Sequence, residues 1–156
     1  MWLVTGTPDA HHARMNQQPQ DRVRSLLEEW ADAIRNKDIE RLMGCYASDV
    51  VAYDMMPPLE WRGAQSYRAA WEQGLAMPGS FEVELYEPVI TARDDIAFAV
   101  ALAHFDVRPP SGEAYDGWFR WTAGFARSNG EWKIVHEHSS VPIEMESRTA
   151  LIDLRP

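Results

Sequence analysis

Four long runs of strand-forming residues, separated by turn signals, fill the second half of this 156-residue chain, and their succession limits the folds open to it. Residues 81–91, 96–107, 115–127 and 132–141 are rich in β-branched and aromatic side chains. Ser128-Asn129-Gly130 is a tight hairpin signal, and Arg108-Pro109-Pro110-Ser111-Gly112 marks a longer turn. Pro88 interrupts the first run, which places it at a sheet edge or at a bulge. Hairpin-linked strands of this length form an antiparallel sheet, and such a sheet needs a cover for one face.

The cover is encoded upstream. From Asp21, a plausible N-cap, the residues Val23, Leu26, Leu27, Trp30, Ala31 and Ile34 recur at helical spacing and form one apolar stripe. Asp38 can cap a short second helix carrying Ile39, Leu42 and Met43 and ending near Gly44. Tyr46-Ala47-Ser48-Asp49 reads as a turn, and residues 50–54 read as a strand. Met55-Met56-Pro57-Pro58 is a loop, residues 59–63 are extended, and residues 64–77 form a third helix with Tyr67, Ala70, Trp71, Gly74 and Leu75 on one side. The order predicts an α+β domain: a curved antiparallel sheet packed against three N-terminal helices. Residues 1–19, broken by Gly6, Pro8 and Pro19, read as a flexible tail; residues 20–142 make the domain; residues 143–156 make a C-terminal tail.

A net charge of −9 argues against nucleic-acid binding, which needs a basic footprint. No apolar run approaches a membrane span, and the N-terminus lacks a signal-peptide pattern, so the expected location is cytoplasmic. The lone Cys45 leaves no internal disulfide and reads as a small buried hydrophobe. No Gly-rich phosphate loop is present, and no cofactor is expected.

Several segments carry a family resemblance: Trp30-Ala31-Asp32-Ala33-Ile34-Arg35-Asn36-Lys37-Asp38, Leu42-Met43-Gly44-Cys45-Tyr46-Ala47-Ser48-Asp49-Val50, Trp61-Arg62-Gly63 and, above all, Gly130-Glu131-Trp132-Lys133-Ile134-Val135-His136-Glu137-His138-Ser139-Ser140. Over roughly residues 20–142 the chain resembles the nuclear-transport-factor-2-like superfamily, and within it the SnoaL-like, ketosteroid-isomerase-like branch. The resemblance implies a cone of sheet closed by helices around an apolar pocket for a small molecule, and a homodimer formed through the outer sheet face. It implies two roles. One is a cofactor-independent enzyme of the isomerase, cyclase or dehydratase type, acting on an apolar carbonyl-bearing metabolite. The other is a non-catalytic ligand-binding or association module, because the last strand also looks like that of the calcium/calmodulin-dependent kinase association domain.

The polar residues on the strands are the candidates for chemistry. Strand alternation puts Trp132, Ile134, His136 and His138 on one face of the last run, and Lys133, Val135, Glu137 and Ser139 on the other. Which set faces inward depends on the turn at Asn129-Gly130, since a shift of one residue exchanges the faces. Asp54, Glu137, His136 and His138 are therefore the candidate catalytic residues. A His titrates near neutrality, and a Glu in an apolar pocket is pushed toward it. Tyr53, Trp30, Trp61, Trp71, His104, Trp118 and Arg120 are the candidate ligand contacts, with Tyr53, Arg120 or a His available to an oxyanion and His104 oriented by Asp106. His136, His138 and His104 could in principle ligate a metal, but two strand histidines need a third ligand, and no metal site is assigned. In run 96–107 a bulky face alternates with an alanine face; both are apolar, so cover on both sides is expected.

Overall fold

The computed structural model describes residues 10–156, with side chains described from residue 18 onward. The elements are α1 (Ala10–Arg35), α2 (Ile39–Gly44), β1 (Tyr46–Tyr53), β2 (Trp61–Arg62), α3 (Ala64–Leu75), β3 (Ser80–Arg93), β4 (Ile96–Arg108), β5 (Tyr115–Ser128), β6 (Glu131–Ser140) and a small hairpin of β7 (Ile143–Glu144) with β8 (Thr149–Ala150). Six strands form one sheet in the order β2-β1-β6-β5-β4-β3. Strands β3 to β6 are successive antiparallel neighbours, as the turn signals require. The sheet departs from the antiparallel expectation at β1, which runs parallel to β6.

Local chemistry accounts for most boundaries. The Asp38 side chain accepts the Arg41 backbone N–H at 3.1 Å and starts α2. Asn129 (φ 52°) and Gly130 (φ 83°) form a two-residue turn that sets Arg127 opposite Trp132. Two boundaries differ from expectation. Helix α1 starts at Ala10 rather than at Asp21 and carries Pro19 inside it. A proline removes one backbone hydrogen bond, and here the helix continues through it, so Asp21 lies within α1 and not at its start. Residues 46–49 are strand rather than turn, because Tyr46 pairs with Ile134 on β6.

The apolar stripe of α1 buries Val23, Leu27, Trp30, Ala31 and Ile34 against the inner face of the sheet. On β4 the alanine face turns inward, with Ala97, Ala99 and Ala103 buried. No described residue covers the bulky face: Ile96, Phe98 and Val100 stand open on the outer face, joined by Tyr86 and Val89 from β3. Strand β3 is the sheet edge and bulges between Tyr86 and Val89, at Pro88. No helix among the described residues is long and apolar enough to cross a membrane.

The junction from α3 into β3 depends on one glycine. Gly79 has φ 102°, and a Cβ built there would lie 2.0 Å from the Arg108 carbonyl oxygen. Both the backbone conformation and the contact exclude a side chain. Gly79→Ala is expected to lower stability by roughly 2 kcal/mol or more, read as a fall in the midpoint of chemical denaturation.

Candidate active site

The faces of β6 exchange part-way along the strand. Phe125 pairs with Ile134 and Gly124 pairs with His136, so Val135 is an extra residue that β5 does not match. Before this bulge Trp132 and Ile134 point inward; after it Glu137 does, and His136 and His138 point outward. Simple alternation would have kept Trp132, Ile134, His136 and His138 on one side. The bulge is why the two-residue turn nevertheless turns Glu137 into the core.

Glu137 is the one buried charged or polar residue among the described residues, at 2% exposure. Its neighbours across the sheet are Ala52 on β1 and Ala123 on β5, both fully buried. Two small side chains leave space above the carboxyl, and two tyrosines fill it. Tyr46 Oη donates to Glu137 Oε2 at 3.0 Å and accepts the Trp30 Nε1–H at 2.8 Å. Tyr67 Oη lies 2.5 Å from Glu137 Oε1 and 2.9 Å from Asp54 Oδ2. Asp54 follows β1 at the rim, half-buried, where its Oδ1 also accepts the Met56 backbone N–H at 3.0 Å. Tyr67 reaches inward because it shares a face of α3 with Trp71, one turn later.

Aromatic rings surround this group. Trp30 packs against Trp71 and Trp121 with ring centroids 6.2 and 5.6 Å away, and Trp61 lies 6.2 Å from Tyr67. The indole nitrogens of Trp71 and Trp121 are buried donors without a hydrogen-bond partner. Such a donor costs about 1–3 kcal/mol when unanswered. Trp121 nevertheless stands near enough to Glu137 to favour its charged form.

Burial raises the Glu137 carboxyl from its usual 4.5 to about 7, with the Asp54 charge adding to the rise and Tyr67, Tyr46 and Trp121 opposing it. Burial and the adjoining Glu137 raise the Tyr46 and Tyr67 phenols well above their usual range, so both act as neutral donors. Glu137 is thus a carboxyl group that changes charge near neutrality in a water-poor setting.

The sequence candidates divide into two groups. Asp54, Glu137, Trp30, Trp61 and Trp71 come together around the carboxyl. Tyr53, His104, Trp118, Arg120, His136 and His138 do not; they stand on the outer face. There His136 Nδ1 contacts the Val51 carbonyl at 2.7 Å, and both histidine rings pack edge-on against Tyr53. His104 stacks on Trp118 and pairs with Asp116 across the strand at 2.8 Å, not with Asp106 along its own strand. Strand alternation explains His104, Trp118 and Arg120; the Val135 bulge explains the two histidines of β6. Tyr46 was hidden by the apparent turn at residues 46–49. Tyr67 was legible as part of the apolar stripe of its helix and as one of the tyrosines available for isomerase-type chemistry, but not as a partner of Glu137.

Among the described residues, no cluster of His, Cys, Asp or Glu is placed to hold a metal ion. A groove of about 550 Å³ lies between α1 and the β3 edge, lined by Arg24, Leu27, Arg35, Glu84 and His104 among others, and it does not include Glu137. Among its polar groups Arg35 donates to the Val83 carbonyl, His104 meets Asp116, and Asp106 Oδ1 is buried without a partner. The candidate for chemistry is therefore Glu137, a carboxyl that is desolvated and held by named donors.

The profile of the SnoaL-like domain matches residues 23–144. The chain belongs to the SnoaL-like family. A nuclear-transport-factor-2-like protein of unknown function from Pseudomonas putida is 36% identical; the match covers 87% of this chain and 95% of that one, with a TM-score of 0.79. A scytalone dehydratase candidate from Novosphingobium aromaticivorans shares the fold at 11% identity, 92% and 99% coverage and TM-score 0.77. So does a calcium/calmodulin-dependent protein kinase II association domain candidate from Xanthomonas campestris, at 19% identity, 85% and 87% coverage and TM-score 0.69. At these identities the last two establish fold alone. No curated protein matches the chain.

The raised Glu137 value has a consequence for stability. A carboxyl whose folded value exceeds its unfolded one binds more protons when folded, so its contribution is fully present below the unfolded value of 4.5 and is lost as pH rises through about 7. Chemical denaturation of the wild type is expected to show a loss on the order of 2 kcal/mol between pH 5 and pH 8. Glu137→Gln is expected to flatten that slope.

Proposed function

We propose that this SnoaL-like protein is a cofactor-independent proton-transfer enzyme of the isomerase, cyclase or dehydratase kind. The observation that carries the reading is the Glu137 carboxyl, buried, held by Tyr46 and Tyr67, and titrating at about 7. The substrate is a small, largely apolar, carbonyl-bearing molecule that enters among Trp30, Trp61, Trp71 and Trp121. Glu137 takes the proton next to the carbonyl and returns it to another atom of the substrate or to a leaving hydroxyl. The unpartnered indole N–H group of Trp71 donates to the oxygen on which charge develops. A dehydratase role accords with the description of one structural neighbour and rests on fold likeness. Localisation in the cytoplasm is part of the same proposal.

Binding is read by tryptophan fluorescence against a panel of cyclic ketones and enones, and chemistry by NMR exchange of the α-protons of bound ligands in deuterated water. The wild type is expected to exchange them, and Glu137→Gln to bind comparably while losing roughly 100-fold or more in rate. Equal exchange by both proteins would sink the assignment.

A second reading is favoured by a separate observation. Tyr86 and Val89 on β3 with Ile96, Phe98 and Val100 on β4 form an apolar patch of the outer sheet face that no described residue covers. We infer that a second copy covers this face in a homodimer, with or without catalysis inside. Phe98→Glu combined with Val100→Glu is expected to convert the dimer to a monomer in light scattering; a wild type that is already monomeric at micromolar concentration overturns the inference.

A further inference from the structure

Tyr67 touches two carboxyl groups with one hydroxyl. Its Oη is 2.5 Å from Glu137 Oε1 and 2.9 Å from Asp54 Oδ2. The phenol proton can serve only one of them. Both contacts become hydrogen bonds only when a second proton sits on one of the carboxyls and is donated to the tyrosine oxygen. The three groups also differ in their access to water. Glu137 is sealed at 2% exposure and Tyr67 at 1%, while Asp54 sits half-buried at the rim beside the exposed residues 56–60.

We propose that Asp54, Tyr67 and Glu137 form a proton relay that connects the sealed carboxyl with solvent. In the step, the Glu137 Oε1 proton passes to Tyr67 Oη as the Tyr67 proton passes to Asp54 Oδ2. One O–H bond breaks and one forms at Tyr67, which stays neutral throughout, and the net result is a proton moved from Glu137 to Asp54. The reverse step recharges Glu137. The raised phenol of Tyr67 fits this concerted path, since a discrete phenolate is disfavoured. The other groups bearing on Glu137 are neutral: Tyr46, itself held by Trp30, and Trp121. The proposal rests on reading Glu137 as the proton-transferring group and adds the path by which that group is reset between turnovers; Asp54 is then a proton carrier at the rim and Tyr67 the link.

The test uses the ligand-free full chain, so its outcome is independent of any substrate. Carboxyl carbons of Glu and Asp are labelled with ¹³C, and the Glu137 resonance is assigned by its loss in Glu137→Gln. Asp54→Asn is expected to lower the Glu137 midpoint by roughly one unit in the wild-type background. In the Tyr67→Phe background the same change is expected to have less than half that effect, because the link is missing. An equal effect in both backgrounds means simple charge repulsion, and no effect in either means isolated groups; both overturn the relay. A readout that needs no variant at Tyr67 guards against misfolding: with tyrosine ζ-carbon label, the Tyr67 resonance is expected to move at the same midpoint as Glu137, and a Tyr67 resonance that ignores that midpoint overturns the relay. Loss of the relay would leave Glu137 as the base untouched, because the α-proton exchange experiment reads that role separately.

Discussion

The extra residue at Val135 decides which chemistry the interior of this protein contains. Up to Ile134 the last long strand alternates as its hairpin dictates; one residue later the two faces exchange. Without the exchange, an imidazole would point at the helices and the carboxyl would stand outside. With it, a single carboxyl enters a core otherwise built of aliphatic and aromatic groups. The rest of the interior is arranged around that fact. Alanines flank the carboxyl on both neighbouring strands, a tyrosine descends from α3, another rises from the start of β1, and Trp30 of α1 fixes the second one.

Burying a carboxyl group costs free energy unless its oxygens are answered or its charge is given up. Here both responses operate. Two phenols answer the oxygens, and the group shifts toward neutrality. The outcome is neither a firmly ionised carboxylate nor a permanently neutral acid. That intermediate condition gives the site chemical interest, and it depends on elements drawn from both ends of the domain: β1 and α3 from the first half, β6 from the second.

The architecture was largely legible in the sequence because each part has a local cause. Helical spacing of Val23, Leu27, Trp30 and Ile34 marks the stripe of α1, Asp38 marks the start of α2, and Asn129-Gly130 marks the hairpin. Pro88 marks an edge bulge because its ring forbids a ladder hydrogen bond. The bulge at Val135 has no such mark. A β-branched residue suits a regular strand equally well, and the irregularity arises from pairing with β5 and β1 together. The site was therefore half legible: Asp54 and Glu137 could be named, but the sidedness of His136 and His138 could not. Tyr46 was lost to a polar stretch, Ser48-Asp49, that looks like a turn and is strand only because β6 lies beside it.

The alanines of β4 bear on how closely the sheet and the helices pack. Ala97, Ala99 and Ala103 place almost no volume between the sheet and the helical layer, so the two layers are drawn together over the far side of the interior. Layer spacing and the buried polar group are thereby assigned to different strands. Bulkier residues along that row would wedge the layers apart, while the carboxyl and its phenols, anchored on β6, β1 and α3, would keep their mutual geometry. A scaffold divided this way can vary the spacing of its layers without redesigning the polar group held between them.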